Sequence, residues 1–259
     1  MDGPWLILVG VAAGVFAGLF GIGGGIIIVP ALIVLAGFPL VKATGTSLAA
    51  IMLPVGILGV VAYYRAKMVD LRASAFIALG LLTSVVVGAW LANTLPVGLM
   101  RRFFALFCLY VGWNFIDPVG RLKKWRRLEV KAGPEPETCP HPAPWPLIGI
   151  GLLAGVMSGM FGIGGGNVIV PLLALALHYP AKRAIATSLG AILLPFGIPG
   201  VLYYHRAGNL DLAAAAWIAG GLFIGSVFGA LITISLPSRT VKLLYGLFLL
   251  FVAYRFFFF

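Results

Sequence analysis

Apolar residues run along this chain in long continuous blocks, with none of the period-two alternation of a strand. The blocks cover roughly 4–20, 22–37, 43–64, 70–92 and 97–117, then 146–162, 163–178, 184–205, 211–234 and 240–258. A bilayer core needs about 20 apolar residues per helix. Blocks three, four and five of each set meet that length. The first two are short, and they join at a glycine cluster. Each pair therefore predicts either two short helices or one re-entrant hairpin. Irregular backbone cannot face lipid, so the break must face protein or a cavity.

The two sets of five are copies. Gly21-Ile22-Gly23-Gly24-Gly25 recurs as Gly162-Ile163-Gly164-Gly165-Gly166, so residue i matches residue i + 141. The same offset carries Pro30 to Pro171, Thr46-Ser47 to Thr187-Ser188, and Pro54 to Pro195. It also carries Tyr63 to Tyr204, Arg65 to Arg206, and Asp70 to Asp211. Roughly half the positions from Gly10 to Leu71 are identical to their counterparts without a gap. An odd number of segments inverts the second copy relative to the first. The expected fold is an all-α polytopic membrane protein of two inverted-topology repeats, forming two bundles about a two-fold axis in the membrane plane. Residues 1–117 form the first repeat, 118–145 a basic and Pro-rich linker, and 146–259 the second repeat.

Composition narrows the class. Of 259 residues, 61% are hydrophobic and 10% charged, against about 45–50% and 25% in soluble domains. That excludes a soluble globular enzyme, and the continuous apolar runs argue against an outer-membrane barrel. The net charge of +11 does not point to nucleic acid, because the cations lie between apolar segments. With the linker cytoplasmic, thirteen of the Lys and Arg residues fall inside and five outside. Positive charge favours the cytoplasmic side. The reading is a multi-pass protein of the cytoplasmic (inner) membrane with a cytoplasmic linker and external termini. Cys108 and Cys139 suggest no pairing. His141, His178 and His205 lack metal-ligand spacing, and no cofactor motif or catalytic set is present.

Matching broken segments in an inverted repeat point to a secondary transporter with its site where the breaks meet. Gly23, Gly24 and Gly25, with Gly164, Gly165 and Gly166, let the backbone leave helical geometry and restart a helix. A helix N-terminus offers free N–H groups to an anion; tight helix packing is the alternative use of the same glycines. Asn167, where the first repeat has Ile26, either bonds helix to helix or contacts substrate. Thr46, Ser47, Thr187 and Ser188 supply hydroxyls for an oxyanion, or back-bond to the preceding turn. Pro54 and Pro195 should kink the third segment of each repeat and could hinge it. Asp70 and Asp211 are expected to cap the helices that follow. Arg65 and Arg206 read as headgroup anchors or gate charges, and Tyr63 and Tyr204 as members of an aromatic belt.

The run from Gly14 to Gly25, with Pro30 and Thr46-Ser47, resembles the TauE/SafE sulfite exporter family of anion permeases. Gly155 to Gly166, with Pro171 and Thr187-Ser188, resembles that family's second repeat. The resemblance covers nearly everything but the linker. It implies a permease, in the exporting direction, for sulfite, organosulfonates or related small sulfur-containing anions. Alternating access, one repeat moving against the other, is the expected mechanism. A passive anion channel and a carrier of another carboxylate-like anion are the competing functions. The expected partners are the small anion and the lipid bilayer, with the oligomeric state open and a homodimer the one assembly considered. One test of orientation is direct. In a protein lacking Cys108 and Cys139, an impermeant thiol reagent added to intact cells should leave Pro136→Cys unlabelled; efficient labelling would reverse the orientation.

Overall fold

The computed structural model describes residues 3–52, 56–96 and 142–258, together with scattered positions between 98 and 116. Pro54 and most of the expected linker lie outside the described residues. All regular structure among the described residues is helical: α1 (Pro4–Phe20), α2 (Gly25–Ala36), α3 (Leu40–Met52), α4 (Ile57–Arg65), α5 (Leu71–Thr94), α6 (Pro144–Phe161), α7 (Gly166–Leu175), α8 (Ala181–Leu193), α9 (Ile198–Arg206), α10 (Leu212–Ser235) and α11 (Ser238–Phe258). Helices α5, α6 and α10 are long and apolar enough to cross a membrane, and the bent pairs α3–α4 and α8–α9 each amount to one broken span or a re-entrant loop. At about 1.5 Å per residue, the 17 residues of α1 and 12 of α2 reach about 25 and 18 Å. Both fall short of a hydrocarbon core of about 30 Å. Large apolar side chains such as Trp90, Leu212, Phe228 and Phe251 are exposed. A surface of that kind suits lipid and would aggregate in water.

The helix ends follow local chemistry. Pro4 opens α1, where its missing N–H costs nothing, and Gly21 closes it in the left-handed conformation, its N–H donating to the Ala17 carbonyl. Asp70 and Asp211 cap α5 and α10 as expected, each carboxylate accepting from the N–H three residues on, Ala73 and Ala214. The third segment of each repeat is broken outright. In the second repeat Leu194 is extended, as residues before proline tend to be, Pro195 cannot donate to the helix ladder, and α8 and α9 meet at 53°. The axes of α3 and α4 differ by 47°.

The repeats do not form separate bundles. The most extensive helix contacts are α1 with α10 and α5 with α6, each joining one repeat to the other. Both seams are ladders of small residues four apart. Gly10, Gly14 and Gly18 of α1 face Gly221, Gly225 and Gly229 of α10, and Gly151, Gly155 and Gly159 of α6 face Gly80, Ser84 and Gly88 of α5. Spacing of this kind lets two helix backbones touch in a bilayer, where association rests on packing and hydrogen bonds and not on the hydrophobic effect. Ser84 adds a bond across its seam, donating to the Leu152 carbonyl at 2.7 Å, and Thr233 donates to the Leu19 carbonyl at 2.9 Å across the other. The sequence signals the small faces, but it does not say that each would choose the other copy. α6 starts at Pro144, slightly ahead of the boundary expected at 146.

Steric contrast between glycines makes the packing testable. A methyl at Gly88 would be driven into the Val156 carbonyl, whereas one at Gly149 meets nothing within 4 Å. Gly88→Ala should lower stability by about 1–3 kcal/mol, the usual cost of overpacking. Gly149→Ala should melt like the parent in detergent; equal melting temperatures for both would disprove the seam.

Candidate functional site

The two glycine clusters meet face to face. After α1 ends, Gly23 and Gly24 take φ of 77° and 85°; after α6, Gly164 and Gly165 take 79° and 75°. These values lie in the left-handed region that glycine enters without strain. They turn the chain so that α2 and α7 start against each other's break. A Cβ on Gly23 would sit 3.3 Å from the Gly164 Cα. One on Gly25 would overlap the Gly162 carbonyl, and one on Gly166 the Gly21 carbonyl. Each contact has its mirror at the offset of the repeat, which is the signature of a two-fold relation. The two readings of the glycines, chain break and close packing, are both realised at the same residues.

Two serines fasten this junction. The Ser47 hydroxyl donates to the Gly162 carbonyl at 2.7 Å, and Ser188 donates to the Gly21 carbonyl at 2.8 Å. Each serine thus answers the carbonyl left free where the other repeat's helix ends. A hydroxyl has one hydrogen, so Ser47 and Ser188 have no further donor to offer. Their neighbours differ. Thr46 and Thr187 accept, from the Asp211 N–H and the Asp70 N–H respectively, both at 3.1 Å. Their own O–H groups donate to nothing among the described residues. All four side chains are fully buried. None uses its hydroxyl to back-bond to the preceding turn, the alternative raised by sequence.

Free donors gather at the same place. Ile27 and Ile28 bond back to the Gly24 carbonyl, and Val168 and Ile169 to that of Gly165. The N–H groups of Gly24, Gly25 and Ile26, and of Gly165, Gly166 and Asn167, find no acceptor among the described residues. Six donors at two opposed helix N-termini make a positive environment without a formal charge. Asn167 is 0% exposed, and neither its amide oxygen nor its amide nitrogen has a partner. The helix-to-helix bond considered for it is not made. Ser158, one turn before the second break, is likewise buried and unpartnered. Leaving such groups unanswered costs about 1–3 kcal/mol each. Beside the first break lies a small pocket, with room for about one water, lined by Gly23, Ala17, Ile51, Leu189, Leu222 and Ser226.

The remaining sequence candidates separate from this cluster. Arg65 and Arg206 stand exposed at the ends of α4 and α9. Pro195 lies in the α8–α9 break. Tyr63 and Tyr204 correct an expectation. They are fully buried and form no aromatic belt; their hydroxyls donate at 2.7 Å to the Gly18 and Gly159 carbonyls, near the ends of α1 and α6. Sequence reasoning also missed the bonds between the Thr hydroxyls and the Asp N–H groups. The exact recurrence of these residues in both repeats was the available signal, since a surface tyrosine has little reason to be duplicated with its glycine partner.

Apolar spans, paired broken helices and a buried donor cluster where the breaks meet define a multi-pass helical membrane transporter. Residues 6–256 match the Sulfite exporter TauE/SafE family. The chain belongs to that family. It is 28% identical over 253 residues to the Probable membrane transporter protein YunE of Bacillus subtilis, covering 92% of this chain and 91% of the relative. It is 30% identical over 272 residues to a probable membrane transporter protein of Haemophilus influenzae, covering 97% and 96%. A third such protein, from Methanocaldococcus jannaschii, is 33% identical over 210 residues, covering 79% and 73%. No solved structure matches the chain.

The serine bonds give a stability prediction. Ser47→Ala and Ser188→Ala each strand a buried carbonyl, and each should cost about 1–3 kcal/mol. Gly149→Ala again serves as the reference. Unchanged melting of both serine variants would mean that the junction is held by packing alone.

Proposed function

We propose that the chain carries a small oxyanion, sulfite or an organosulfonate, across the cytoplasmic membrane, with the opposed N-termini of α2 and α7 as its binding site. The observation that carries this reading is the set of buried N–H groups without acceptors at the junction. An anion there would replace missing acceptors. Thr46 and Thr187, next in sequence to the serines of the junction, hold O–H groups that donate to nothing among the described residues. Buried Lys or Arg is not required, because several neutral donors each contribute about 0.5–1.5 kcal/mol net. The expected affinity is moderate, on the order of micromolar to millimolar.

The glycine seams revise the expected motion. One repeat rocking against the other would have to tear α1 from α10 and α5 from α6. The cross-repeat pairs are better rigid bodies, and the bent spans α3–α4 and α8–α9 are better moving parts. Their breaks lie beside the junction, so a hinge there could expose the donors to either side in turn. Pro195 and Pro54 would then act at the hinges, while Arg65 and Arg206 would steer anions at the two faces without holding them. Inverted topology, with the linker cytoplasmic and the termini external, fits this scheme.

Two measurements test it. Calorimetric titration with sulfite should show Thr46→Val and Thr187→Val weakening binding by up to about tenfold each, since a decade corresponds to 1.4 kcal/mol. Arg206→Gln should change mainly the salt dependence. Abolished binding in Arg206→Gln beside unchanged affinity in the threonine pair would move the site to the surface. In liposomes, a carrier should show uptake accelerated by unlabelled anion on the opposite side; its absence, with unsaturable flux, would indicate a channel.

A further inference from the structure

We infer that the two faces of the molecule are sealed unequally, firmly at Asp70 and loosely at Asp211, so that the empty chain opens by preference at the Asp211 face. This rests on the reading of the bent pairs as moving parts. Each seal forms where the first helix of a bent pair meets the turn before a long span. Helix α8 meets the turn from Arg65 to Asp70, and α3 meets the turn from Arg206 to Asp211. The two turns stand at opposite ends of α5 and α10. Lys182, at the start of α8, donates to the Ile234 carbonyl at the far end of α10 from Asp211. Asn209, in the turn before Asp211, donates to Asn93 at the far end of α5 from Asp70.

Bonds and backbone differ in the same sense between the faces. At the Asp70 face the Asp70 N–H donates to Thr187 Oγ1 at 3.1 Å, and Ser74 donates to the Thr187 carbonyl at 2.9 Å. Tyr179 donates to Asp70 Oδ2 at 2.9 Å, and Arg183 to the Lys67 carbonyl at 3.3 Å. At the Asp211 face the first of these recurs, from the Asp211 N–H to Thr46 at 3.1 Å. The others do not recur among the described residues. Ala215 stands at the counterpart of Ser74 and Phe38 at that of Tyr179, neither with a hydroxyl. Lys42, the counterpart of Arg183, lies over Phe38 of its own segment and reaches Asp211 Oδ2 at 3.6 Å, with both side chains of that pair 33% exposed. An ion pair so open to water holds weakly. The turns differ as well. Lys67 and His178 take φ of 55° at the Asp70 face, where their counterparts Gly208 and Gly37 take 71° and 66°. A non-glycine residue keeps this conformation only where its surroundings enforce it. Glycine enters and leaves it freely.

The test reads how often each seal opens, using two matched probes. Ala43 of α3 and Ala184 of α8 are counterparts, both 0% exposed, three residues before Thr46 and Thr187. The full-length protein is taken in detergent without Cys108 and Cys139, and a charged, membrane-impermeant maleimide is added. Ala43→Cys should react at least about tenfold faster than Ala184→Cys, the effect of about one net hydrogen bond. Tyr179→Phe with Ser74→Ala should speed Ala184→Cys until the two rates agree within about threefold. Arg183→Gln removes a different bond of the same seal and should also speed Ala184→Cys; it serves where the double variant is not recovered folded. Equal rates in the two parent proteins, or a faster Ala184→Cys, overturn the inference and leave the carrier reading standing. So does an Ala184→Cys rate that none of these changes moves. If neither cysteine reacts, neither seal opens, and the reading of the bent pairs as moving parts fails together with the inference.

Discussion

A helix that stops inside a bilayer leaves backbone carbonyls and N–H groups that lipid cannot answer. In this chain the carbonyl end of each break is answered by the other repeat, through Ser47 to Gly162 and Ser188 to Gly21. The junction therefore exists only when both repeats are present and in register. The rest of the architecture serves that requirement. The glycine seams hold α1 on α10 and α5 on α6 at backbone contact, which brings the two breaks together. Tyr63 and Tyr204 tie the last turns of α1 and α6 to α4 and α9.

The answering is deliberately incomplete on the N–H side. Carbonyls at Gly21 and Gly162 have hydroxyl partners, while the N–H groups at the start of α2 and α7 have none among the described residues. A cluster satisfied throughout would be a rigid knot; one with leftover donors is held together and still able to take an acceptor from outside. The unfilled part is positive in character and free of formal charge.

Interlacing also constrains motion. The two copies share their main helix seams, so the units of sequence are not the units of packing. The bent helix pairs carry their own breaks, and α9 and α4 have the exposed arginines at their ends. Pro195 lies in the break between α8 and α9, outside both glycine seams.

Class, duplication and the Asp caps were all legible in the sequence, because they depend on composition, period and local chemistry. The glycine clusters could be picked out as breaks for the same reason: six of their residues need a left-handed backbone, and only glycine takes it freely. What a side chain bonds to is another matter. Ser47 and Ser188 look alike in sequence to Thr46 and Thr187, yet the serines spend their hydrogens on a distant carbonyl and the threonines accept from a distant N–H. Those partners lie more than a hundred residues away along the chain, so no local pattern encodes them. Tyr63 and Tyr204 sit near segment ends, where an interfacial tyrosine is the ordinary expectation; burial against Gly18 and Gly159 required the fold. Asn167 was equivocal by sequence, and only the packing of α7 against the first break decided that no helix takes its amide. Local chemistry fixes where this backbone stops being helical, and only the meeting of two such stops in three dimensions decides which polar groups are spent and which are left unpaired.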